Sequence, residues 1–261
     1  MSPSRRLLLQ AVALVAVVLA GTALVARLLG GRADLPAVPQ TAPGPVLLVP
    51  GYGGATGSLE VLAAALRAAG RSATVVALPG DGTGDLRASA NALDTAVTAL
   101  GASSVDLVGY SAGGVIARLW AADNRGRVRR VVTLGSPHHG TKVAALAAAL
   151  APGACPLACQ QLVPGSSLLD RLNDGDETPD GPQWLALWTG QDETVTPPDS
   201  ARLEGAVNVV LQEICAGLPV PHGALPTTPL VRGLVLQALS TQDIAAPSPS
   251  DCVALSARLS S

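Results

Sequence analysis

Aromatic residues are scarce in this 261-residue chain, which contains no Phe, two Tyr and three Trp. The sequence therefore excludes a rich aromatic stacking platform, and the interior must be built from Ala, Val and Leu. Charge is scarce as well, since 14% of the residues are charged and the formal net charge is −2. Because the chain has no broad basic field, we do not expect nucleic acid as a partner, and small neutral substrates fit the composition better.

The sequence also lacks the motifs that hold cofactors and metals. Lys142 is the only lysine, so the Gly-rich turn Val49–Gly54 has no Walker lysine, and its spacing is not that of a dinucleotide-binding motif. The four cysteines provide only one short-spaced pair, which makes a zinc site a poor interpretation. We predict no cofactor and no metal.

The N-terminus contains a long apolar run. Arg5 and Arg6 precede 20 uncharged residues, Leu7–Ala26, and this run is too apolar on all sides for a buried helix. A signal-peptide core needs about 7–15 residues and a bilayer span about 20, so residues 1–30 are predicted to be a signal peptide or a membrane anchor. The arginine pair also resembles a weak twin-arginine export signal. We expect an exported protein, either secreted or anchored to the outer face of the cytoplasmic membrane.

All four cysteines lie in the part of the chain that export would place outside the cytoplasm. They are Cys155, Cys159, Cys215 and Cys252. Oxidising compartments favour disulfides, and four cysteines permit three pairings. We favour a Cys155–Cys159 bond that closes one loop and a Cys215–Cys252 bond that ties the C-terminal tail to the domain. Four buried thiols are the alternative.

Residues 31–45 are Pro-rich and aperiodic, and we predict that they form an extended linker. Residues 46–261 are predicted to form one domain, in which apolar runs alternate with Ala-rich helical stretches. The alternation predicts an α/β fold with a doubly wound, mostly parallel sheet of about six strands. The predicted strands are 46–49, 73–78, 105–108, 128–134, 184–188 and 206–211, and the predicted helices are 58–69, 86–100, 112–122, 143–150 and 229–239.

The alternation weakens between residues 137 and 182. This stretch contains the short-spaced cysteine pair and a polar run at residues 173–177. An insertion of this length in a compact α/β domain is usually functional. It is interpreted either as a cap over a site or as a passive surface excursion stapled by a disulfide.

Residues 109–113 read Gly-Tyr-Ser-Ala-Gly and match the pattern G-x-S-x-G. A predicted strand precedes them and a predicted helix follows, which is the context of a nucleophile elbow. The elbow holds its serine in strained backbone geometry with Oγ above the sheet, and the flanking glycines keep other side chains clear. We predict that Ser111 is a catalytic nucleophile.

An unassisted serine hydroxyl needs a base, which is usually a histidine. In this architecture the chain order is Ser, then acid, then His, and among the three histidines only His222 leaves room for an acid-bearing strand. His138 and His139 come too early to be the base. They are interpreted as residues of the pocket rim or as a pair that stabilises a loop.

Asp192 is the predicted acid, because it follows the strand at residues 184–188, and catalytic groups collect at the carboxyl ends of strands in open α/β sheets. It is expected to accept the Nδ1–H of His222, which fixes the tautomer of the imidazole. Glu193 is the nearest competitor and Asp199 a weaker one.

An oxyanion hole requires two donors. One is the backbone N–H of Ala112, immediately after the nucleophile. The other is predicted to be the N–H of Tyr52, in the Gly-rich loop after the first strand, whose glycines let the backbone approach a substrate closely.

Together these motifs resemble the α/β-hydrolase superfamily and, within it, secreted bacterial lipases and esterases of the class 2, triacylglycerol lipase-like kind. The resemblance covers nearly all of residues 46–239 and rests on residues 49–54, 109–114, 134–141, 190–192 and 220–223. It implies a triad of Ser111, Asp192 and His222, oxyanion donors at Tyr52 and Ala112, no cofactor, and acyl esters as substrates. One departure is Pro50, which stands where many relatives have a His. This affects the outer hydrogen bonding of the loop but not its backbone donor.

The resemblance leads us to expect a monomeric hydrolase of small-molecule or lipid esters, in contact with the membrane only if the N-terminal segment stays uncleaved. One rival hypothesis is acyl transfer or amide hydrolysis by the same triad. Another is a non-catalytic, membrane-tethered binding protein on the same fold.

Overall fold

The computed structural model describes residues 38–258, which form a six-stranded parallel sheet with the strand order β2-β1-β3-β4-β5-β6. The strands are β1 (Val46–Val49), β2 (Ala73–Val75), β3 (Val105–Tyr110), β4 (Val128–Leu134), β5 (Gln183–Trp188) and β6 (Val207–Val210). The predicted α/β class is confirmed. β2 ends three residues earlier than predicted, because it is an edge strand and the chain turns away ahead of Pro79.

Helices connect the strands and cover both faces of the sheet. They are α1 (Gly57–Ala68), α2 (Leu86–Ala99), α3 (Ala112–Asp123), α4 (Lys142–Leu150), α5 (Leu157–Gln161), α6 (Ser167–Leu172), α7 (Leu211–Ile214), α8 (Pro229–Ala238) and α9 (Cys252–Ala257). The five predicted helices correspond to α1, α2, α3, α4 and α8, and their bounds agree to within one residue, whereas α5, α6, α7 and α9 were not predicted. The predicted insertion at residues 137–182 contains α4, α5 and α6.

Two apolar cores lie on the two faces of the sheet, and β1 contributes to both. Val46 and Leu48 pack with α1 and α8, whereas Leu47 and Val49 pack with α2 and α3. All four side chains are buried, which explains why the strand is a continuous apolar run. Because all strands are parallel, their carboxyl ends meet at one edge, and the loops that follow them form the candidate site there.

The opposite edge of the sheet is held by a buried charged cluster. Asp106 of β3 accepts two hydrogen bonds from Arg129, at 2.9 and 2.6 Å, and one from Arg71 at 2.6 Å. Arg129 also donates to the carbonyls of Leu239 and Gln40, each at 2.8–2.9 Å. A buried guanidinium is tolerated only when its donors are satisfied, and here its partners attach the end of α8 to the sheet.

Part of the predicted linker packs against the domain. Val38 is buried, and the Gln40 side chain donates to the carbonyl of Arg129 at 3.2 Å. The ordered contacts of the domain therefore begin before Val46, and within this segment the Ala42 N–H donates to the Pro39 carbonyl at 3.2 Å to close a turn.

Both favoured disulfides are present, one between Cys155 and Cys159 and one between Cys215 and Cys252. The first joins the loop ahead of α5 to that helix, and the second joins the end of α7 to α9. Among residues 38–258, no helix combines the length and apolarity needed to cross a bilayer. The predicted signal or anchor at residues 1–30 lies outside the described residues.

Candidate active site

Ser111 lies in the sharp turn between β3 and α3. Its φ of 53° is the one positive value at a non-glycine position within residues 38–258, and its ψ is −128°. Such a conformation is strained for a residue with a Cβ and persists only where the surroundings enforce it. Here the Ser111 N–H donates to the carbonyl of Leu134 at 2.8 Å. The elbow predicted from the sequence is thus present as a strained strand-to-helix turn.

The glycines around Ser111 are required by close backbone contacts. A Cβ on Gly109 would lie 2.4 Å from the Cα of Gly114, and one on Gly113 would lie 2.1 Å from the carbonyl oxygen of Val49. Both distances are far below any real contact of a Cβ. Side chains at these positions would push the helix away from the strand and open the turn.

The loop after β1 passes directly against the serine. A Cβ on Gly51 would lie 2.9 Å from the Ser111 Cβ and 3.5 Å from its Oγ. Within the described chain, the N–H of Tyr52, the next residue, has no hydrogen-bond acceptor. Ala112 is the first residue of α3, and its N–H is one of those that a helix leaves without an intrahelical acceptor. The two predicted oxyanion donors therefore lie on the two segments that border Oγ.

Asp192 and His222 form a buried pair at the same edge. Oδ2 of Asp192 lies 2.7 Å from Nδ1 of His222, and each residue is 5% exposed. The other carboxylate oxygen, Oδ1, accepts the N–H groups of Thr194 and Val195 at 2.9 and 2.7 Å. These bonds fix the carboxylate from behind, so that it holds the imidazole in one orientation.

Gly135, at the end of β4, makes room for this pair. It has a φ of 53°, and a Cβ there would lie 3.1 Å from Oδ2 of Asp192 and 3.2 Å from Nδ1 of His222. Since the Ser111 N–H is bonded to Leu134, the residue before Gly135, the end of β4 lies between the elbow and the Asp–His pair.

Tyr110 connects the histidine with the elbow. Its ring centroid lies 5.2 Å from that of His222, and its hydroxyl donates to the His222 carbonyl at 3.3 Å. Burial, together with the negative charges of Asp192 and Glu193, raises the pKa of Tyr110 to about 12. The phenol is therefore neutral at physiological pH and remains a hydrogen-bond donor. His222 is thus beside the residue that precedes Ser111.

A family model described as alpha/beta hydrolase fold matches residues 44–153. The chain has the α/β-hydrolase fold. A solved structure of Aspergillus fumigatus lipase B is similar to this chain, with 22% identity and a TM-score of 0.69 over 83% of this chain and 57% of the lipase. The chain thus spans little more than half of that protein. The sequence has no match among curated proteins.

Two further solved structures have the same fold. The mature form of Bacillus licheniformis lipase BlEst2 is 20% identical, with a TM-score of 0.61 over 78% of this chain and 94% of that one. An alpha/beta hydrolase enzyme from the sediment metagenome of the Mar Chica lagoon, MGS-MChE2, is also 20% identical, with a TM-score of 0.54 over 75% and 90% of the two chains.

The prediction that His138 lies at the pocket rim does not hold. The side chain is fully buried, with Nε2 3.2 Å from Oγ1 of Thr133. Burial, reinforced by the charges of Arg118 and His139, lowers the pKa of His138 well below its usual value. The ring is a neutral part of the interior, where it lies against Thr133 of β4 while Asn173 of the insertion donates to the His138 carbonyl at 2.9 Å. His139 is partly exposed and pairs with Glu177 at 2.7 Å.

Arg118 is a buried residue that sequence reasoning missed, and it fastens the insertion to α3. Its guanidinium donates to Asn173 Oδ1 at 2.9 Å and to the carbonyls of Glu177 and Leu172 at 3.1 and 3.3 Å. Burial lowers the pKa of Arg118 to about 10, with Glu177 acting in the opposite direction, so the group stays charged at neutral pH. A charged residue in the middle of an apolar stretch of the helix was the sequence signal for such a role.

The insertion has a second attachment through α5. The Gln161 side chain accepts the N–H of Leu86 at 2.9 Å and donates to Asp85 at 2.7 Å, which is the N-cap of α2. The N–H of Ala158 donates to the carbonyl of Thr83. The insertion is therefore bonded to the loop that precedes α2 as well as to α3. Within residues 38–258 no cluster of His, Cys, Asp and Glu could hold a metal ion.

Proposed function

We propose that this α/β-hydrolase is a serine hydrolase that cleaves carboxylic esters through an acyl-enzyme. The observation that carries the proposal is the buried 2.7 Å hydrogen bond between Asp192 and His222, with the imidazole beside the strained elbow of Ser111. A carboxylate that holds Nδ1–H leaves Nε2 without a proton, and this is the tautomer that a general base requires.

The chemistry follows from the roles of these groups. The Ser111 hydroxyl attacks the ester carbonyl while Nε2 of His222 accepts its proton, and the tetrahedral oxyanion is stabilised by the N–H groups of Tyr52 and Ala112. The carbon–oxygen bond to the alcohol then breaks, and His222 returns the proton to the departing alcohol. Water, deprotonated by the same imidazole, hydrolyses the acyl-enzyme and restores the serine.

Two of the similar solved structures are of proteins named as lipases, which agrees with acyl esters as the substrate class. At 20–22% identity this likeness concerns the fold, so the proposal for the substrate depends on the site. Nothing in the donor set calls for a cofactor, because the triad and two backbone donors supply the nucleophile, the base and the oxyanion stabilisation.

The proposal includes export from the cytoplasm. Disulfides such as Cys155–Cys159 and Cys215–Cys252 form and persist in oxidising compartments. We propose that the N-terminal residues 1–30 direct this export and remain as an anchor if they are not cleaved. The enzyme is proposed to act as a monomer on small-molecule or lipid esters.

Hydrolysis of a chain-length series of p-nitrophenyl esters, from acetate to palmitate, tests the proposed function. We expect saturable turnover with kcat on the order of 1–10³ s⁻¹ for the best ester, together with release of one equivalent of acid in a pH-stat assay. Two control substrates, p-nitrophenyl phosphate and the p-nitroanilide of the same acid, should react far more slowly. A folded protein that releases no acid from any ester, or that converts the ester only when an acceptor alcohol is supplied, would exclude ester hydrolysis.

A further inference from the structure

We infer that Glu193 is a positioning residue, which fixes the backbone of His222 so that the imidazole stays aligned with Ser111. The inference rests on the proposed function, because it assigns Glu193 a part in orienting the proposed base. Sequence reasoning had placed Glu193 as a competitor for the role of the acid.

Three successive side chains after β5 face the loop that contains the histidine. Oε1 of Gln191 accepts the N–H of Val220 at 3.2 Å. Asp192 holds the imidazole of His222 at 2.7 Å, and Oε2 of Glu193 accepts the His222 backbone N–H at 3.1 Å. The two carboxylates therefore bind different parts of His222, since Asp192 holds the ring and Glu193 holds the main chain.

The His222 backbone is held on its other side as well. Its carbonyl accepts the hydroxyl of Tyr110 at 3.3 Å. The peptide groups on both sides of the His222 Cα are therefore fixed, and the ring has a third attachment at Nδ1. With the main chain fixed in this way, the imidazole keeps one direction relative to the elbow, whereas a single bond at Nδ1 would let the ring swing about that bond.

Other contacts, in which Glu193 takes no part, also hold the loop that contains His222. Gln212 donates to Thr189 Oγ1 at 3.0 Å and to the carbonyl of Leu218 at 3.1 Å, and it accepts the N–H of Gly190 at 2.9 Å. The Cys215–Cys252 disulfide fastens the start of the loop to α9. Because Glu193 is itself exposed, its replacement leaves the core and these supports in place. The expected consequence is a local shift of His222 rather than unfolding.

The effect of such a shift is on the chemical step. A displacement of about 1 Å in a catalytic group can cost about 100-fold in rate. Glu193 makes one of three attachments, and its bond is partly exposed, so we expect its loss to cost about 10- to 100-fold in kcat. Because Glu193 acts on the position of the base, we expect KM to stay within about threefold.

Three variants and a control test the inference with the full chain and p-nitrophenyl butyrate. Glu193→Leu removes the acceptor, Glu193→Gln keeps an acceptor oxygen at the same reach but removes the charge, and Glu193→Asp keeps the charge but shortens the reach. The control is Glu213→Leu on α7, which removes the charge of another exposed glutamate in the neighbouring segment. We expect kcat to fall about 10- to 100-fold for the Leu and Asp variants, to recover to within about fivefold of wild type for Gln, and to be unchanged for the control.

The possible results separate the inference from the proposed function. If wild type does not hydrolyse the ester, the proposed function fails. If wild type is active and Glu193→Leu matches it, the positioning role is overturned. Equal losses of kcat in Glu193→Leu and Glu193→Gln, with full activity in Glu193→Asp, would show that the charge of Glu193 matters and its hydrogen bond to His222 does not. That result also overturns the positioning role. A loss that appears in KM or in the melting temperature, with kcat unchanged, would identify a structural role instead. Should the Leu variant fail to fold, the Asp and Gln pair carries the same contrast.

Discussion

Replacement of Ser111 by alanine is expected to lower kcat for p-nitrophenyl butyrate by at least about 10⁴-fold, while the melting temperature stays within a few degrees of wild type. The large loss follows from removal of the atom that forms the acyl-enzyme. The small change in stability follows because alanine is smaller and the strain at φ 53° remains. The measurement is steady-state hydrolysis of the purified protein with a thermal melt of the same preparation.

The matched control for this variant is Ser103→Ala. Ser103 is exposed in the loop ahead of β3, eight residues before Ser111. The substitution removes the same hydroxyl group at a position outside the elbow. It should keep wild-type kcat. Retention of more than about one-hundredth of the activity by Ser111→Ala, in a preparation shown to be free of wild-type enzyme, would contradict the assignment of the nucleophile.

The second large effect is expected for Asp192→Asn, which should lower kcat by about 10³- to 10⁴-fold near neutral pH. Asparagine keeps the size of the side chain, and its amide oxygen can still accept the N–H groups of Thr194 and Val195. The atom that faces Nδ1 of His222 then becomes an NH₂ donor. It favours the tautomer with the proton on Nε2, which cannot accept the proton of Ser111.

The same measurement on Asp199→Asn provides the control, because Asp199 was a weaker candidate for the acid and lies exposed in a short 3-10 helix after β5. Its kcat should match wild type. If Asp199→Asn were the inactive variant and Asp192→Asn the active one, the acid would have been misassigned.

The elbow could be predicted because its determinants are local. A strand, a five-residue turn and a helix follow one another along the chain. Gly109 and Gly113 are required by two close backbone contacts, so the sequence itself indicates where the backbone packs tightly. The parallel sheet was predictable for a similar reason, since strands buried on both faces are continuous apolar runs.

The division of roles between Asp192 and Glu193 could not be derived in this way. The two residues are adjacent in one loop, and either could follow the strand and carry the acid. Their side chains diverge only when the loop after β6 is in place, so that one meets the ring of His222 and the other its backbone. The position of Asp192 after the strand favoured it as the acid, and nothing in the sequence indicated that Glu193 would bind the backbone of His222.

Long-range partners also decide the positions of His138 and Arg118. Arg118 finds Asn173 across 55 residues of chain, and nothing local in α3 specifies that contact. His138 lies just after the strand β4 and was therefore interpreted as a residue of the pocket rim or of a loop-stabilising pair, but the contact with Asn173 of the insertion holds it in the interior. Residues 38–45 have the composition of a linker, and their contacts become evident only once the edge of the sheet with Arg129 is known.

The central claim is that Ser111 is a nucleophile activated by His222, and covalent labelling with a fluorophosphonate tests it most directly. The measurement is the intact mass of the labelled protein, peptide mapping of the adduct, and the labelling rate of wild type beside His222→Ala. We predict one adduct per chain on the peptide that contains Ser111, formed at least about 10³-fold more slowly in the His222 variant. An adduct on another residue, or labelling of Ser111 at the same rate without the imidazole, would contradict the claim.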